Sequence, residues 1–359
     1  MFTQKLNDLI IKQISDKRQI GVQLSIYQNE KELLSESFGT SDNTNQLSNN
    51  NLFLSFSVTK GIFALLLHIL VDKDMIKYDD YISKYWPKFS KNGKNKITLR
   101  QILTHQAGLH RMPYPFEAKH LLDEPYMLNY IEEMSPAYEP GTRTTYCSIT
   151  FNWIIIGILN GLMLDPRETF QKYIVDQFEI QDDVFIGLPF NELVISRSVK
   201  MDIDVPKSDE SSETYKASSS ELWQFYNDSR VKHMFLPACN GYFTAKALAK
   251  IYGILANDGV YNNKQIINVA CINQMRTCQI DIVDDVIGIA IKKGMGFFLN
   301  LGYIENSFGH GGISGSIAFA DPSRKLGIAI LINKMNFDYT YDPIKEICDL
   351  IISIYDSNK

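Results

Sequence analysis

The chain has little from which to build a covalent or metal framework. Its five cysteines, Cys147, Cys239, Cys271, Cys278 and Cys348, are odd in number and contain no Cys-x-x-Cys pair, which disfavours both a disulfide scaffold and a thiolate zinc site. They read as reduced, mostly buried thiols. The six histidines are scattered. His105 and His110 stand five apart, off the four-residue spacing that lets two histidines share a metal on one helix face. His68 and His105 read as structural, His120 and His233 as solvated, and no metal or cofactor is expected. Long like-charge runs are also missing: 36 basic residues face 41 acidic ones for a net charge of −5, so the electrostatic footprint of a nucleic-acid binder is lacking. The apolar run 61–71 is too short to span a bilayer. The first twelve residues mix acids and polar side chains through their apolar stretch, unlike a secretory signal, so with Met1 as the native start a cytoplasmic location is expected.

What is present is globular. With 359 residues, 45% hydrophobic and 12% aromatic, the chain can bury a large core as one big domain or two intimate ones. Apolar residues at 2, 6, 9, 10 and 14 carry the period of an amphipathic helix over 2–18. Strand-like runs at 20–27 and 31–38 follow, joined by the turn residues Asn29-Glu30. The far end mirrors this, with strands at 314–320 and 326–333 around the turn Asp321-Pro-Ser-Arg324, then a helix over 342–356. The middle is mostly helical pattern, clearest at 152–160 and 166–173. The expected fold class is therefore α+β: an antiparallel sheet flanked by N- and C-terminal helices, with a large helical insertion. Residues 1–56 and 237–359 would form a discontinuous sheet domain and 57–236 a mainly helical one, with the active site between them. The polar stretch 207–220 reads as an exposed loop without chemistry.

The informative local feature is Ser57-Val-Thr-Lys60, a hydroxyl and an amine one helical turn apart at the head of the apolar run 61–71. A core helix would draw Lys60 into low dielectric, lowering its pKa from about 10.4 and leaving a neutral amine able to take the proton of Ser57. That activates a serine without histidine. Taken alone, the same residues also describe a serine cap with a snorkelling lysine. A second match, Ser229-Arg-Val-Lys232, sits in polar sequence with no apolar helix behind it and reads as a surface segment.

Two further elements follow in order: Tyr146-Cys-Ser148, and His310-Gly-Gly312 ahead of a strand. With Ser57-x-x-Lys60 they resemble the three-motif site of serine β-lactamases and penicillin-binding proteins. The flanks Leu99-Arg-Gln-Ile-Leu-Thr-His-Gln-Ala-Gly-Leu109, Tyr138-Glu-Pro-Gly-Thr-Arg-Thr-Thr-Tyr146 and the glycine-rich stretch 309–322 look like the class C β-lactamase-related family, which includes family VIII carboxylesterases, D-aminopeptidases and acyltransferases. The similarity covers about residues 20–335. A decoy set, Ser229, Lys232 and Tyr261, also precedes His310, but Tyr261 lies in turn chemistry at 257–264.

The resemblance implies a β-lactamase/transpeptidase-like fold and an acyl-enzyme mechanism. Ser57 would be the nucleophile, Lys60 its base, and Tyr146 the proton shuttle to the leaving group, helped by a hydrogen bond from Lys60. Ser148 would complete the polar network. His310, Gly311, Gly312 and Ile313 would bind substrate, the amides of Ser57 and Ile313 forming the oxyanion hole. Histidine where penicillin-type sites often hold lysine removes a permanent charge that would grip a substrate carboxylate. The expected partner is a small ester or amide, and the expected activity esterase-like hydrolysis of small acyl esters. Acyltransfer, D-amino-acid peptidase or β-lactamase activity, and a scaffold that has lost turnover, stand as alternatives; the oligomeric state is left open.

Overall fold

Asn29 and Glu30 both take positive φ, the two-residue turn geometry whose twist suits a hairpin, and they join β1 (Gly21–Gln28) to β2 (Lys31–Gly39). The structure, a computed structural model, describes residues 2–42, 44–203, 207, 209–335 and 342–357. Six strands from the far end of the chain complete the sheet: β3 (Ile280–Val283), β4 (Ala290–Lys293), β5 (Phe298–Leu299), β6 (Phe308–Gly311), β7 (Ile317–Asp321) and β8 (Leu326–Ile332). All pairings are antiparallel, in the order β2-β1-β8-β7-β6-β5-β4-β3. The two ends of the chain meet at β1 and β8, where Val22 pairs with Ile332 and Gln28 with Leu326.

Five helices place the site: α1 (Phe2–Ser15), α2 (Val58–Asp72), α3 (Phe151–Gly161), α4 (Ala245–Ala256) and α5 (Pro343–Ser357). Successive side chains of a strand point to opposite faces. Ile328 and Ile330 of β8 join Leu6, Ile10, Ile347 and Ile351 of the terminal helices in one apolar cluster. Ala329 and Leu331 join Leu248 and Ile251 of α4 in the larger core on the other face. That two-sided cover explains why every residue of β8 is buried and why its sequence is an unbroken apolar run. A second, three-stranded sheet pairs Phe53–Leu54 with Gly241–Phe243, which in turn pairs with Val184–Ile186. It carries the chain directly into Ser57 on one side and away from Ala238 on the other.

Three local expectations change. The stretch 207–220 is not simply an exposed loop: Glu213–Ala217 is helical, Met112 N–H donates to the Lys216 carbonyl at 2.8 Å, and Ala217 is buried against Tyr146 and Val286. His120 is buried, because its Nδ1 accepts the Glu117 N–H and its ring stacks on Tyr126. The strand at the third motif ends at Gly311, so His310 lies inside a strand and the next one begins only at Ile317. Among the described residues, no helix is long and apolar enough to cross a membrane.

Candidate active site

Ser57 caps α2 at its amino end and is 8% exposed. Its oxygen makes no capping bond to the helix, which leaves it available, and the aligned peptide dipoles of α2 place partial positive charge there. The residue before it, Phe56, has φ +44°, a conformation that costs a non-glycine residue of order 1–3 kcal/mol. Edge-on packing of its buried ring against Trp223 and Tyr226 holds it there.

Lys60 is buried at the same end of α2. Its Nζ lies 3.1 Å from Ser57 Oγ, 2.7 Å from the Ser148 carbonyl and 2.9 Å from the Ala238 carbonyl. Burial pushes its pKa down to about 8, which brings the uncharged form within reach close to neutral pH. A neutral amine has two N–H donors and one lone pair. Because carbonyls only accept, the two of them take both N–H groups, and the lone pair is left for the Ser57 hydroxyl.

Tyr146 is buried, with Ser57 beside its phenol. Burial raises its pKa, with Ser57 opposing, so the phenol holds its proton. Lys60 Nζ stands 4.9 Å from the centre of the ring and donates elsewhere, so the contact between Lys60 and Tyr146 is with the ring face and the expected hydrogen bond from Lys60 to the phenol is not made. Ser148 enters the network through its backbone carbonyl.

His310 on β6 is 2% exposed, with its ring 4.5 Å from Phe298 and 6.1 Å from Tyr146 between centroids. Its Nδ1 lies 2.8 Å from the Gly311 carbonyl. Since the carbonyl can only accept, Nδ1 carries the hydrogen. Burial, with the nearby Lys60 charge, pushes the imidazole down to about 3, so His310 is neutral throughout the physiological range. Two glycines permit the close approach: a Cβ on Gly61 of α2 would lie 2.4 Å from Tyr252 Oη and 3.1 Å from His310 Cβ, and one on Gly312 would lie 2.4 Å from the Ser55 carbonyl oxygen. The turn 312–313 is thereby seated against the segment leading into Ser57. Neither the Ser57 nor the Ile313 amide is paired with an acceptor among the described residues.

Ser229 is exposed and Tyr261 bonds to Glu179 through its hydroxyl, so the decoy set is not drawn into this cluster. A separate cavity of about 680 Å³, bordered by Phe298, Leu301 and Ile344, is lined by none of Ser57, Lys60, Tyr146 or His310.

Sequence reasoning missed several residues around the site. Asn152 Oδ1 accepts the Ala238 N–H at 2.6 Å. Its signal was a polar residue at the head of an otherwise apolar helix. His105 packs 4.7 Å from the Tyr146 ring, and its Nδ1 accepts the Cys147 N–H at 3.2 Å. Asp284 accepts the Tyr146 N–H at 3.0 Å and pairs with buried Lys293. Nothing in the one-dimensional pattern separates Asp284 from Asp285 or Lys293 from Lys292.

Comparison with known proteins places the chain in a family and a fold. The beta-lactamase family model matches residues 6–347. The "Esterase/beta-lactamase LipL" of Mycobacterium tuberculosis is 25% identical over 303 residues, 78% of this chain and 68% of that protein. A solved family VIII carboxylesterase superposes with a TM-score of 0.87 at 26% identity, covering 97% of each chain. A penicillin-binding-protein homologue from Caulobacter crescentus superposes at 0.88 over 97% of this chain and 96% of that one; at 23% identity it bears on the fold alone.

Proposed function

The chain belongs to the beta-lactamase family of serine hydrolases, and on that premise we propose that it cleaves small neutral acyl esters through an acyl-enzyme on Ser57. The observation that carries this reading is the position of Lys60, whose two carbonyl partners direct its lone pair at Ser57 Oγ.

In this reading Ser57 passes its proton to Lys60 as Oγ attacks the ester carbonyl carbon. The developing oxyanion is held by the amides of Ser57 and Ile313, the first helped by the α2 dipole. Collapse of the intermediate expels the alkoxide, which takes the proton of Tyr146. The tyrosinate then recovers a proton from the protonated Lys60, whose Nζ must turn from the ring face, 4.9 Å from its centre, towards the phenolic oxygen. Water then attacks the acyl carbon and passes a proton to the neutral Lys60; the bond to Ser57 Oγ breaks, Oγ recovers that proton from Lys60, and the acid is released. Ser57, Lys60, Tyr146 and Ser148 come from the helical stretch, His310 and Gly311 from β6, and Gly312 and Ile313 from the turn after it.

The preference for neutral substrates rests on charge. His310 is neutral, Lys60 spends its donors on carbonyls, and Lys293 is paired with Asp284, so none of these groups offers a permanent cation to a substrate carboxylate. The name of the Mycobacterium tuberculosis relative includes esterase beside beta-lactamase, so ester chemistry is among the activities named for a relative. The deciding experiment is a panel of chromogenic esters of graded acyl length run beside a cephalosporin and a D-amino acid anilide. The highest kcat/KM should fall on a short neutral ester; faster turnover of the cephalosporin or the anilide would reject the substrate assignment.

A further inference from the structure

Beside Tyr146, at its backbone, lies a buried ion pair that none of the three sequence motifs contains. Asp284 and Lys293 are 0% and 1% exposed and are bonded to each other through Asp284 Oδ2 and Lys293 Nζ. Lys293 Nζ also donates to Thr144 Oγ1 at 2.8 Å, and that hydroxyl lies 3.2 Å from Asp284 Oδ2. The other carboxylate oxygen, Oδ1, accepts three backbone N–H groups: Val286 at 2.9 Å, Ile287 at 3.0 Å and Tyr146 at 3.0 Å. The first two fold the loop after β3 around the carboxylate. The third reaches across to the segment that carries the proposed proton donor.

The placement of the pair couples two sides of the site. Lys293 ends β4, where it pairs directly with Phe298 of β5, and Phe298 packs against both Tyr146 and His310. Val286, whose amide Asp284 holds, packs with Ala217 against the Tyr146 ring. Tyr146 is thus held at its backbone by the carboxylate and along its ring by residues that the same pair anchors. An ion pair this deep is weak evidence for stability, since desolvation opposes the attraction. Its bond to the one amide that fixes Tyr146 is a more specific use of it.

We propose that Asp284, neutralised by Lys293, is a positioning residue for Tyr146: its Oδ1 fixes the Tyr146 main chain so that the phenol meets the leaving group of the ester. The inference rests on the reading of Tyr146 as proton donor. It separates two effects that loss of an ion pair would otherwise merge. What matters for turnover is an acceptor at the Oδ1 position, and the charges serve only to satisfy each other.

The test uses the full chain and two double variants, both without the ion pair. Asp284→Asn with Lys293→Met keeps a carbonyl oxygen for the Tyr146 amide; Asp284→Ala with Lys293→Met does not. The first should retain kcat within about threefold. The second should lose kcat by about 10²-fold, the scale of a misplaced catalytic group, with KM within about threefold, both normalised to folded protein by circular dichroism. Equal kcat in the two folded doubles would overturn the proposal. If either double fails to fold, Asp284→Glu decides: it keeps the charge opposite Lys293 but carries the carboxylate one methylene further, and its kcat should fall at least tenfold. Wild-type kcat in that variant would also overturn the proposal. Failure of the underlying reading looks different, because Tyr146→Phe, which removes the phenolic proton, would then retain wild-type kcat whatever happens at Asp284.

Discussion

Asn152 Oδ1 accepts the N–H of Ala238 at 2.6 Å, and the carbonyl of that same Ala238 accepts from Lys60 at 2.9 Å. A side chain at the head of α3 therefore sets one of the two acceptors that orient the Lys60 amine. Its amide nitrogen also donates to the Ile149 carbonyl at 2.9 Å, which steadies the turn carrying Ser148. Replacing Asn152 with alanine should lower stability by about 1–3 kcal/mol, the usual penalty for buried partners left unpaired, and lower kcat more than it raises KM. Urea unfolding and steady-state kinetics on one ester check both parts; an unchanged kcat would sever Asn152 from the orientation of Lys60.

Fluorophosphonate labelling should locate the nucleophile. Ser57→Ala is expected to abolish the mass adduct and turnover, whereas Ser229→Ala should leave both near wild type, because Ser229 is exposed and has no buried amine behind it. Intact-mass and peptide-mapping measurements read this directly, and an adduct on Ser229 would reject the assignment.

Lys60→Arg should be as damaging as Lys60→Ala. A guanidinium stays protonated and cannot accept the Ser57 proton, and its planar fork does not match two carbonyls and one hydroxyl set for an amine. Turnover is expected to fall by orders of magnitude in both variants with circular dichroism unchanged. An arginine variant holding more than about a tenth of wild-type kcat would exclude Lys60 as a base.

The pH dependence follows from the same lysine. With its pKa pushed down to about 8 by burial, kcat/KM for a neutral ester should rise as pH increases and level off above that value, since the reactive form is the unprotonated one. His310→Lys would place a second cation beside Lys60, disfavour its protonation, and move this acid limb to lower pH. A limb that stayed in place or moved upward would show that position 310 does not act on Lys60 through charge.

Acid should weaken the fold before most carboxylates titrate. Burial holds His68 down to about 4 and His310 to about 3, from an ordinary 6.5, and pushes His105 well below 6.5. The unfolded chain therefore binds protons that the folded one refuses. The stability these groups supply is fully present above 6.5 and is lost as pH falls toward their folded values. The urea midpoint should drop between about pH 6.5 and 4.5; a flat midpoint across that window would contradict the neutral, buried assignment.

The part of this molecule that the sequence by itself determined is local in character. Period and turn chemistry suffice for α1, the β1–β2 hairpin, β8 and α5, because each buries one face or one run that can be counted along the chain. Ser57 and Lys60 are legible for the same reason: a helix turn brings them together, and the apolar run after them implies burial. The residues that complete the site are set by contacts between distant segments. Lys60 meets Ser148 and Ala238 at separations of 88 and 178 residues, and Tyr146 meets Asp284 at 138. No periodicity encodes such pairings; they exist only once the small three-stranded sheet seats Ala238 beside α2 and the β3–β4 hairpin closes over residues 144–146. His310 shows the same division. Its identity in the third motif is plain in sequence, but its neutrality is decided by a tertiary environment that removes water, places Lys60 nearby and leaves Nδ1 only a carbonyl to bond.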